Sequence, residues 1–191
     1  MSPSPDLTQA EDAAKQSCLR LLTVRPRSRA ELLHRLRADG VDEQMARRVL
    51  DRMEQVQLVD DASFAQAWVR SRQQFSGRGR RALVVELQRK GVAEELIQGA
   101  LGEVDDEAEH ARARELLRRK SRSTAAQGPA ELLRRKSRST AAQGPAAPAA
   151  AARRLTGLLA RRGFAPDVVR SAVRAELATL GIDAEDLSYR R

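Results

Sequence analysis

The apolar residues of this chain recur at helical spacing, and one pattern of them occurs three times. Each copy has two leucines four positions apart, then a glycine four positions later that is followed by another apolar residue. The copies are Leu32–Val41, Leu83–Val92 and Leu155–Phe164. Further apolar residues stand five and ten positions after each glycine: Met45 and Leu50, Leu96 and Leu101, Val168 and Val173. A repeat of this kind predicts one supersecondary unit per copy.

Local signals around the first copy predict three helices. The first is expected from about Glu11 to Thr23. Ser28 followed by Glu31 forms the sequence of a capping box that opens the second helix. Gly40 suits the left-handed cap that ends this helix, and Asp42 suits the N-cap of the third.

The other two copies repeat this arrangement. In the second, Asp60 or Asp61 is expected to cap a helix whose Phe64 and Trp68 we assign to the core rather than to an exposed anchor. A loop at Ser76-Gly77-Arg78-Gly79 then precedes the glycine-ended helix. The helices expected in the third copy are Glu107 to about Lys120, about Ala149 to Arg162, and Pro166 to Leu180.

The predicted fold class is all-α, with tandem three-helix modules that form an elongated, curved, right-handed array. The predicted segments are a disordered tail (1–10), three modules (11–59, 60–104 and 105–180) and a C-terminal tail (181–191). The third module is interrupted, because Glu115–Ala130 is repeated without change as Glu131–Ala146. Each copy has a Gly-Pro pair just before its last residue, which breaks a continuous helix, so we expect a linker insertion at about 121–148.

Composition narrows the class of protein. Hydrophobic residues make up 41% of the chain but aromatic residues only 3%, so Leu, Val and Ala must pack the interior, as is usual for helices. The net charge of +9 predicts attraction to a polyanion or to an acidic protein face. The single cysteine, Cys18, excludes a disulfide framework and is expected to be buried. No signal peptide or membrane span is evident, and a cytoplasmic location is expected.

The chain offers little material for catalysis. His34 and His110 are isolated and are expected on solvated helix flanks. No glycine-rich phosphate loop and no metal-binding spacing occurs. We therefore predict no enzymatic activity, no catalytic residue, no metal site and no cofactor.

Basic residues precede each of the three repeated glycines. They are Arg35 and Arg37, Arg89 and Lys90, and Arg161 and Arg162. Cations near a helix C-terminus favour the helix dipole by about 0.3–1 kcal/mol each, which is a sufficient structural explanation. Binding to a partner is the alternative.

A second basic group lies in a segment, Ala62 to Val85, that contains no acidic residue. Its members are Arg70, Arg72, Arg78, Arg80 and Arg81. Arg80 and Arg81 begin a predicted helix, where the dipole disfavours positive charge but favours an anion such as phosphate. This group is our first candidate for a contact surface, and a merely solvated face is the alternative.

A third basic group, Arg118 to Arg122 with its copy Arg134 to Arg138, is equally consistent with a nucleic-acid contact or a solvated run. No aromatic residue is interleaved with it, so base stacking is not indicated. A helix-turn-helix that reads bases is disfavoured, because the helix starting at Ala93-Glu94-Glu95 would repel phosphate.

The middle of the chain carries the most specific motifs. They are Leu58-Val59-Asp60-Asp61 with Phe64-Ala65, Trp68-Val69 and Arg72, followed by Gly79, Arg81, Glu86-Leu87 and Lys90-Gly91-Val92. In these motifs the chain resembles the bacterial RecX family of regulatory proteins, from about Glu11 to Leu180. The duplicated stretch departs from the family pattern.

The resemblance implies a non-enzymatic monomer that binds the RecA recombinase filament on single-stranded DNA. It implies inhibition of ATPase, strand exchange and co-protease activity, and thus modulation of homologous recombination, DNA repair and the SOS response. Direct contacts to DNA phosphates are a further option, and no membrane partner is expected. The alternative function is a helical DNA-binding protein that acts without a recombinase. The candidate contacts are Arg70, Arg72, Arg78, Arg80, Arg81, Arg89, Lys90, Arg161 and Arg162.

Overall fold

The predicted all-α class is confirmed by the architecture. A computed structural model describes residues 5–102, 106–126 and 146–179, and these form nine α-helices and one π-helical turn, with no strand. The α-helices are α1 (Pro5–Val24), α2 (Arg29–Ala38), α3 (Glu43–Gln55), α4 (Asp61–Ser71), α5 (Arg80–Arg89), α6 (Glu94–Gly102), α7 (Asp106–Ala126), α8 (Ala146–Arg161) and α9 (Pro166–Thr179). The π-helical turn, Arg72–Ser76, lies between α4 and α5.

Three boundaries differ from expectation. Helix α1 begins at Pro5 rather than near Glu11, within the segment expected to be a disordered tail. Helix α7 continues past Lys120 to Ala126, through much of the first copy of the duplicated sequence. The loop expected from Ser76 is shorter, because Ser76 ends the π-helical turn. Most of the expected insertion and the C-terminal tail lie outside the described residues.

The contacts divide the described chain into two compact units. The first unit comprises residues 5–71 and 84–102. Helices α1, α2 and α3 enclose one of its cores, in which Leu32, Leu36 and Leu50 are fully buried, and α4 packs against α6. Cys18 lies in this core as predicted, and burial raises the pKa of its thiol to about 11.

The second unit comprises residues 72–83, 106–126 and 146–179. Its core lies where α9 packs against α7 and α8, and Leu117, Leu159 and Leu177 are its largest fully buried side chains. A partly buried hydrogen bond supports the same packing, since the Ser121 hydroxyl donates to Glu176 Oε1 over 2.6 Å.

The three repeated glycines end their helices in the same way. Gly40, Gly91 and Gly163 have φ of +84°, +71° and +79°, a region that favours glycine. In each case the glycine N–H and the following N–H donate to carbonyls of the last helical turn, as in a Schellman motif. The second of these bonds joins Val41 to Leu36 (3.0 Å), Val92 to Leu87 (3.2 Å) and Phe164 to Leu159 (3.3 Å). The repeat in sequence is therefore a repeat in backbone structure.

Two of these caps are bound by the N-terminus of another helix, at contacts that we call the first and second joints. In the first joint, which lies in the first unit, the Ser28 hydroxyl donates to the Lys90 carbonyl over 2.5 Å. The Arg29 N–H donates to Asp61 Oδ1 over 2.8 Å. Gly91 packs so closely that a Cβ there would lie 2.3 Å from the Ala30 Cβ.

The second joint, in the second unit, repeats this chemistry. The Gly79 N–H donates to the Arg162 carbonyl (2.8 Å) and the Arg80 N–H to Glu109 Oε1 (2.8 Å). A Cβ on Gly163 would lie 2.4 Å from the Ala82 Cβ. In both joints a carboxylate accepts a helix N–H that lacks an intrahelical partner, and the C-terminus of the other helix accepts a second hydrogen bond, from the Ser28 hydroxyl in the first joint and from the Gly79 N–H in the second.

The first joint also explains why Asp60, and not Asp61, caps α4. The Asp60 carboxylate accepts hydrogen bonds from the N–H groups of Ala62 (2.9 Å) and Ser63 (3.0 Å), so Asp60 is the N-cap. Asp61 is used in the first joint instead. Burial raises the pKa of Asp61, while the hydrogen bond from Arg29 opposes the rise.

Candidate functional site

The nine candidate cations fall into two classes. Arg70, Arg81, Arg89 and Arg161 are exposed, and each lies at or near a helix end. Arg72, Arg78, Arg80, Lys90 and Arg162 are half-buried and make interactions within the protein. Arg70 and Arg89 belong to the first unit, and Arg81 and Arg161 belong to the second.

The N-terminus of α5 does hold an anion, but that anion is the protein's own. The predicted phosphate position is filled by the carboxylate of Glu109, which is 3% exposed and accepts the Arg80 N–H. The Arg81 N–H donates to the Gly163 carbonyl over 3.0 Å, and the Gly79 N–H is used in the second joint. The N–H groups that a phosphate would need at this helix end are therefore already used within the protein, and a residue that is distant in sequence supplies the negative charge.

Lys90 is held in the first joint by a carboxylate and an aromatic ring. Its Nζ lies 2.8 Å from Glu31 Oε1 and 4.2 Å from the centre of the Trp68 ring. Trp68 is half-buried, and its Nε1 donates to Glu86 Oε2 over 3.0 Å. Phe64 is buried beside Trp68, so Phe64 belongs to the core as predicted, whereas Trp68 lies at its edge.

Glu31 connects these groups electrostatically. Burial alone would raise its pKa, but hydrogen bonds and attraction from Arg25 and Lys90 lower it to about 2. The same carboxylate completes the predicted capping box with Ser28, which is confirmed. Lys90 and Glu31 thus form one charge-compensated group that fastens the end of α5.

Arg162 has a comparable role in the second unit. Its Nη1 donates to the Ser76 carbonyl at the end of the π-helical turn over 2.6 Å. Gly77 follows with φ of +55°, and a Cβ there would lie 2.9 Å from the Leu116 Cδ2. Arg162 therefore holds the turn to the end of α8, and Gly77 lets the chain lie close to α7.

Around this turn lies a basic cleft of about 370 Å³ that the sequence did not reveal. We call it the Phe75 cleft. Its lining comprises Gln73, Gln74, Phe75, Ser76, Gly77, Arg112, Glu115, Leu116, Arg119, Lys120, Leu158 and Arg162, all of the second unit. The Phe75 side chain is 79% exposed. The fold thus brings an aromatic ring to Arg119 and Lys120 of the third basic group, although no aromatic residue is interleaved with that group in sequence.

Other kinds of site are limited in the part of the chain that the structure describes. No group of three or more His, Cys, Asp or Glu side chains is placed to hold a metal ion among those residues. Over the same ranges, no helix has the length and apolar character needed to cross a membrane. His34 is exposed, as expected, whereas His110 is half-buried.

The fold defines a class: a helical protein of repeated three-helix modules. Family models named "RecX, first three-helix domain" and "RecX, second three-helix domain" match residues 14–53 and 60–101. The Regulatory protein RecX of Mycolicibacterium smegmatis (strain ATCC 700084 / mc(2)155) is 43% identical over 183 residues, covering 93% of this chain and 89% of that protein. The chain belongs to the RecX family.

Further comparisons agree. The Regulatory protein RecX of Mycobacterium marinum (strain ATCC BAA-535 / M) is 43% identical over 176 residues, covering 92% of this chain and 91% of that protein. The crystal structure of RecX from Lactobacillus salivarius matches with a TM-score of 0.66 and 18% identity, covering 90% of this chain and 96% of that one. This structural likeness supports the fold.

Proposed function

We propose that this protein is a negative regulator of the RecA recombinase that binds the groove of the RecA filament on single-stranded DNA. Bound there, it inhibits ATP hydrolysis, strand exchange and co-protease activity, and so modulates homologous recombination, DNA repair and the SOS response. The observation that carries this proposal is membership of a family of regulatory proteins at 43% identity over 93% of the chain. The protein acts by binding and not as an enzyme, within the cytoplasm.

The exposed arginines are the proposed contacts. Arg70, Arg81, Arg89 and Arg161 present solvated guanidinium groups, which form two parallel hydrogen bonds to a carboxylate or a phosphate. Several weak contacts on one chain combine through effective concentration, so no single arginine need dominate. The half-buried Lys90 and Arg162 contribute by holding the end of α5 and the π-helical turn in place.

The alternative is a protein that acts on DNA directly, without a recombinase. Reading of bases in the major groove is disfavoured, because α6 begins with Glu94 and Glu95 and contains no cation. Contacts to the phosphate backbone remain consistent with the net charge of +9.

ATP hydrolysis by RecA on single-stranded DNA separates the two functions. We expect inhibition at well below one molecule of this protein per recombinase protomer, whereas competition for DNA needs enough protein to cover it. The variant Arg81→Glu with Arg161→Glu should raise the half-inhibitory concentration about tenfold, or ~1.4 kcal/mol of binding free energy. A double variant at two exposed arginines outside the candidate set, Arg114→Glu with Arg174→Glu, is the matched control.

Two results would contradict the proposal. Inhibition that appears only when the DNA is saturated would favour direct DNA binding. An equal loss in the two double variants would show that net charge, and not the proposed arginines, determines binding.

A further inference from the structure

Phe75 is the most exposed large apolar side chain among the described residues, at 79%. It lies in the π-helical turn, beside Gln73 and Gln74. Short π-helical segments occur frequently at functional sites, and they are otherwise rare. An aromatic ring that is left in water contributes no burial free energy to folding, so its exposure favours a role in binding.

The surroundings of Phe75 are strongly basic. Arg112, Arg119 and Lys120 of α7 line the cleft together with Arg162. The acidic residue of the lining is Glu115, whose carboxylate lies 3.1 Å from Arg122 Nη2. The cleft therefore presents four cationic side chains and one carboxylate that is already paired.

The cleft is held in shape by contacts of its own unit. Arg162 binds the Ser76 carbonyl, and Gly77 lies against Leu116. Because the first contact is made by the last residue of the turn that carries Phe75 and the second by the residue after it, the backbone of the turn is held in place before any ligand arrives. Preorganisation of this kind lowers the entropic cost of binding.

We propose that the Phe75 cleft binds a short segment of single-stranded nucleic acid, with an unstacked base against the Phe75 ring and phosphates against Arg112 and Arg119. Base stacking on an aromatic ring beside a cationic track is the usual chemistry of single-strand binding. The Gln73 and Gln74 amides offer both donors and acceptors to base edges. The volume of about 370 Å³ falls within the 300–1,000 Å³ range of small-ligand clefts, which suits one nucleotide rather than a duplex.

An acidic peptide is the competing ligand. It would satisfy the cations, but a run of acidic side chains would give the ring no face to stack on, so the nucleic acid is favoured. The proposal deepens the proposed function, since a recombinase filament contains single-stranded DNA. Its test uses no recombinase, so its failure leaves the proposed inhibition of RecA ATPase separately measurable.

Fluorescence anisotropy of a labelled oligothymidylate tests the proposal with the full-length protein. Phe75→Ala and Phe75→Leu should each weaken binding about tenfold, whereas Phe75→Trp should preserve it, because stacking requires an aromatic face. Val85→Ala, which truncates another exposed apolar side chain, should leave binding unchanged. Equal binding by the Phe75→Leu and Phe75→Trp variants would overturn the stacking role.

The contribution of the cleft's positive charge is tested with two neighbouring arginines of α7. Arg119 lines the cleft and Arg118 does not, although both are exposed. Arg119→Ala should weaken binding and reduce the slope of log affinity against log salt by about one, while Arg118→Ala should do so less. Equally tight binding of a duplex, or displacement of the oligonucleotide by polyglutamate in a Phe75-dependent way, would refute the proposal.

Discussion

Gly40 differs from Gly91 and Gly163 in its surroundings, although all three form the same helix cap. A Cβ on Gly91 or Gly163 would lie within 2.4 Å of an alanine, whereas a Cβ on Gly40 would meet nothing within 4 Å. The glycines of the second and third copies thus serve two purposes, a left-handed backbone and a close approach. Gly40 serves the first purpose alone, because no helix N-terminus of the described residues packs on it.

The third copy of the repeat lacks the helix N-terminus that forms a joint in the first two copies. Ser28 and Gly79 stand four positions before Leu32 and Leu83, at the starts of α2 and α5. The corresponding residue of the third copy, Ala151, lies inside α8, which begins at Ala146. Its N–H is used within the helix, so α8 offers no open N-terminus at this position for a further joint.

The largest expected effect of this contrast is on stability. Gly163→Ala would place a methyl group 2.4 Å from the Ala82 backbone nitrogen, and we expect a loss of about 3 kcal/mol or more from backbone strain and overpacking together. Gly40→Ala carries only the left-handed strain, about 1 kcal/mol. Urea unfolding measures both. Equal losses would show that the close approach contributes nothing.

A rescue experiment distinguishes the two joints. At Gly91 the close neighbour is the Ala30 Cβ, and the Ala30 Cα is 3.9 Å away, so Ala30→Gly should remove the clash created by Gly91→Ala. We expect the double variant to show a favourable coupling of about 1–2 kcal/mol, after the cost of Ala30→Gly alone is subtracted.

The second joint should not be rescued in this way. A Cβ on Gly163 would meet the backbone of Ala82, at 2.4 Å from N and 2.8 Å from Cα, and Ala82→Gly leaves those atoms in place. A similar coupling free energy in both joints would mean that the α5 backbone moves to relieve the clash as readily as a side chain does.

The predictable part of this structure is the part that nearby residues determine. The capping box at Ser28, the N-cap at Asp42 and the three glycine stops depend on side chains within a few positions, and each is confirmed. The sequence could not choose between Asp60 and Asp61, because both suit an N-cap. The choice is made by Arg29, which is distant in sequence and binds Asp61.

The same limit applies to the candidate surface. The sequence indicated an anion at the α5 N-terminus, and the chemistry was right, but nothing local identified Glu109 as that anion. The Phe75 cleft was missed for a related reason. Its parts come from the π-helical turn, α7 and α8, and only tertiary packing brings them together.

A smaller effect distinguishes the joints by their response to pH. Glu31 immediately precedes Leu32 in the first joint, whereas Ala82 holds that position in the second. The pKa of Glu31 is about 2 in the folded protein, below its ordinary 4.5, so the unfolded chain binds more protons between these values. The stability contributed by the carboxylate is therefore present above pH 4.5 and is lost as the pH falls towards 2.

Glu31→Gln isolates this contribution, because glutamine does not titrate and still suits a capping box. We expect the variant to be less stable than the natural protein by about 1 kcal/mol at neutral pH, a modest value because the pair is partly solvated. The difference should shrink to near zero at pH 2 in urea unfolding curves. A difference that stays constant with pH would mean that Glu31 acts through its helix cap alone, and the ion pair with Lys90 would then not fasten the first joint.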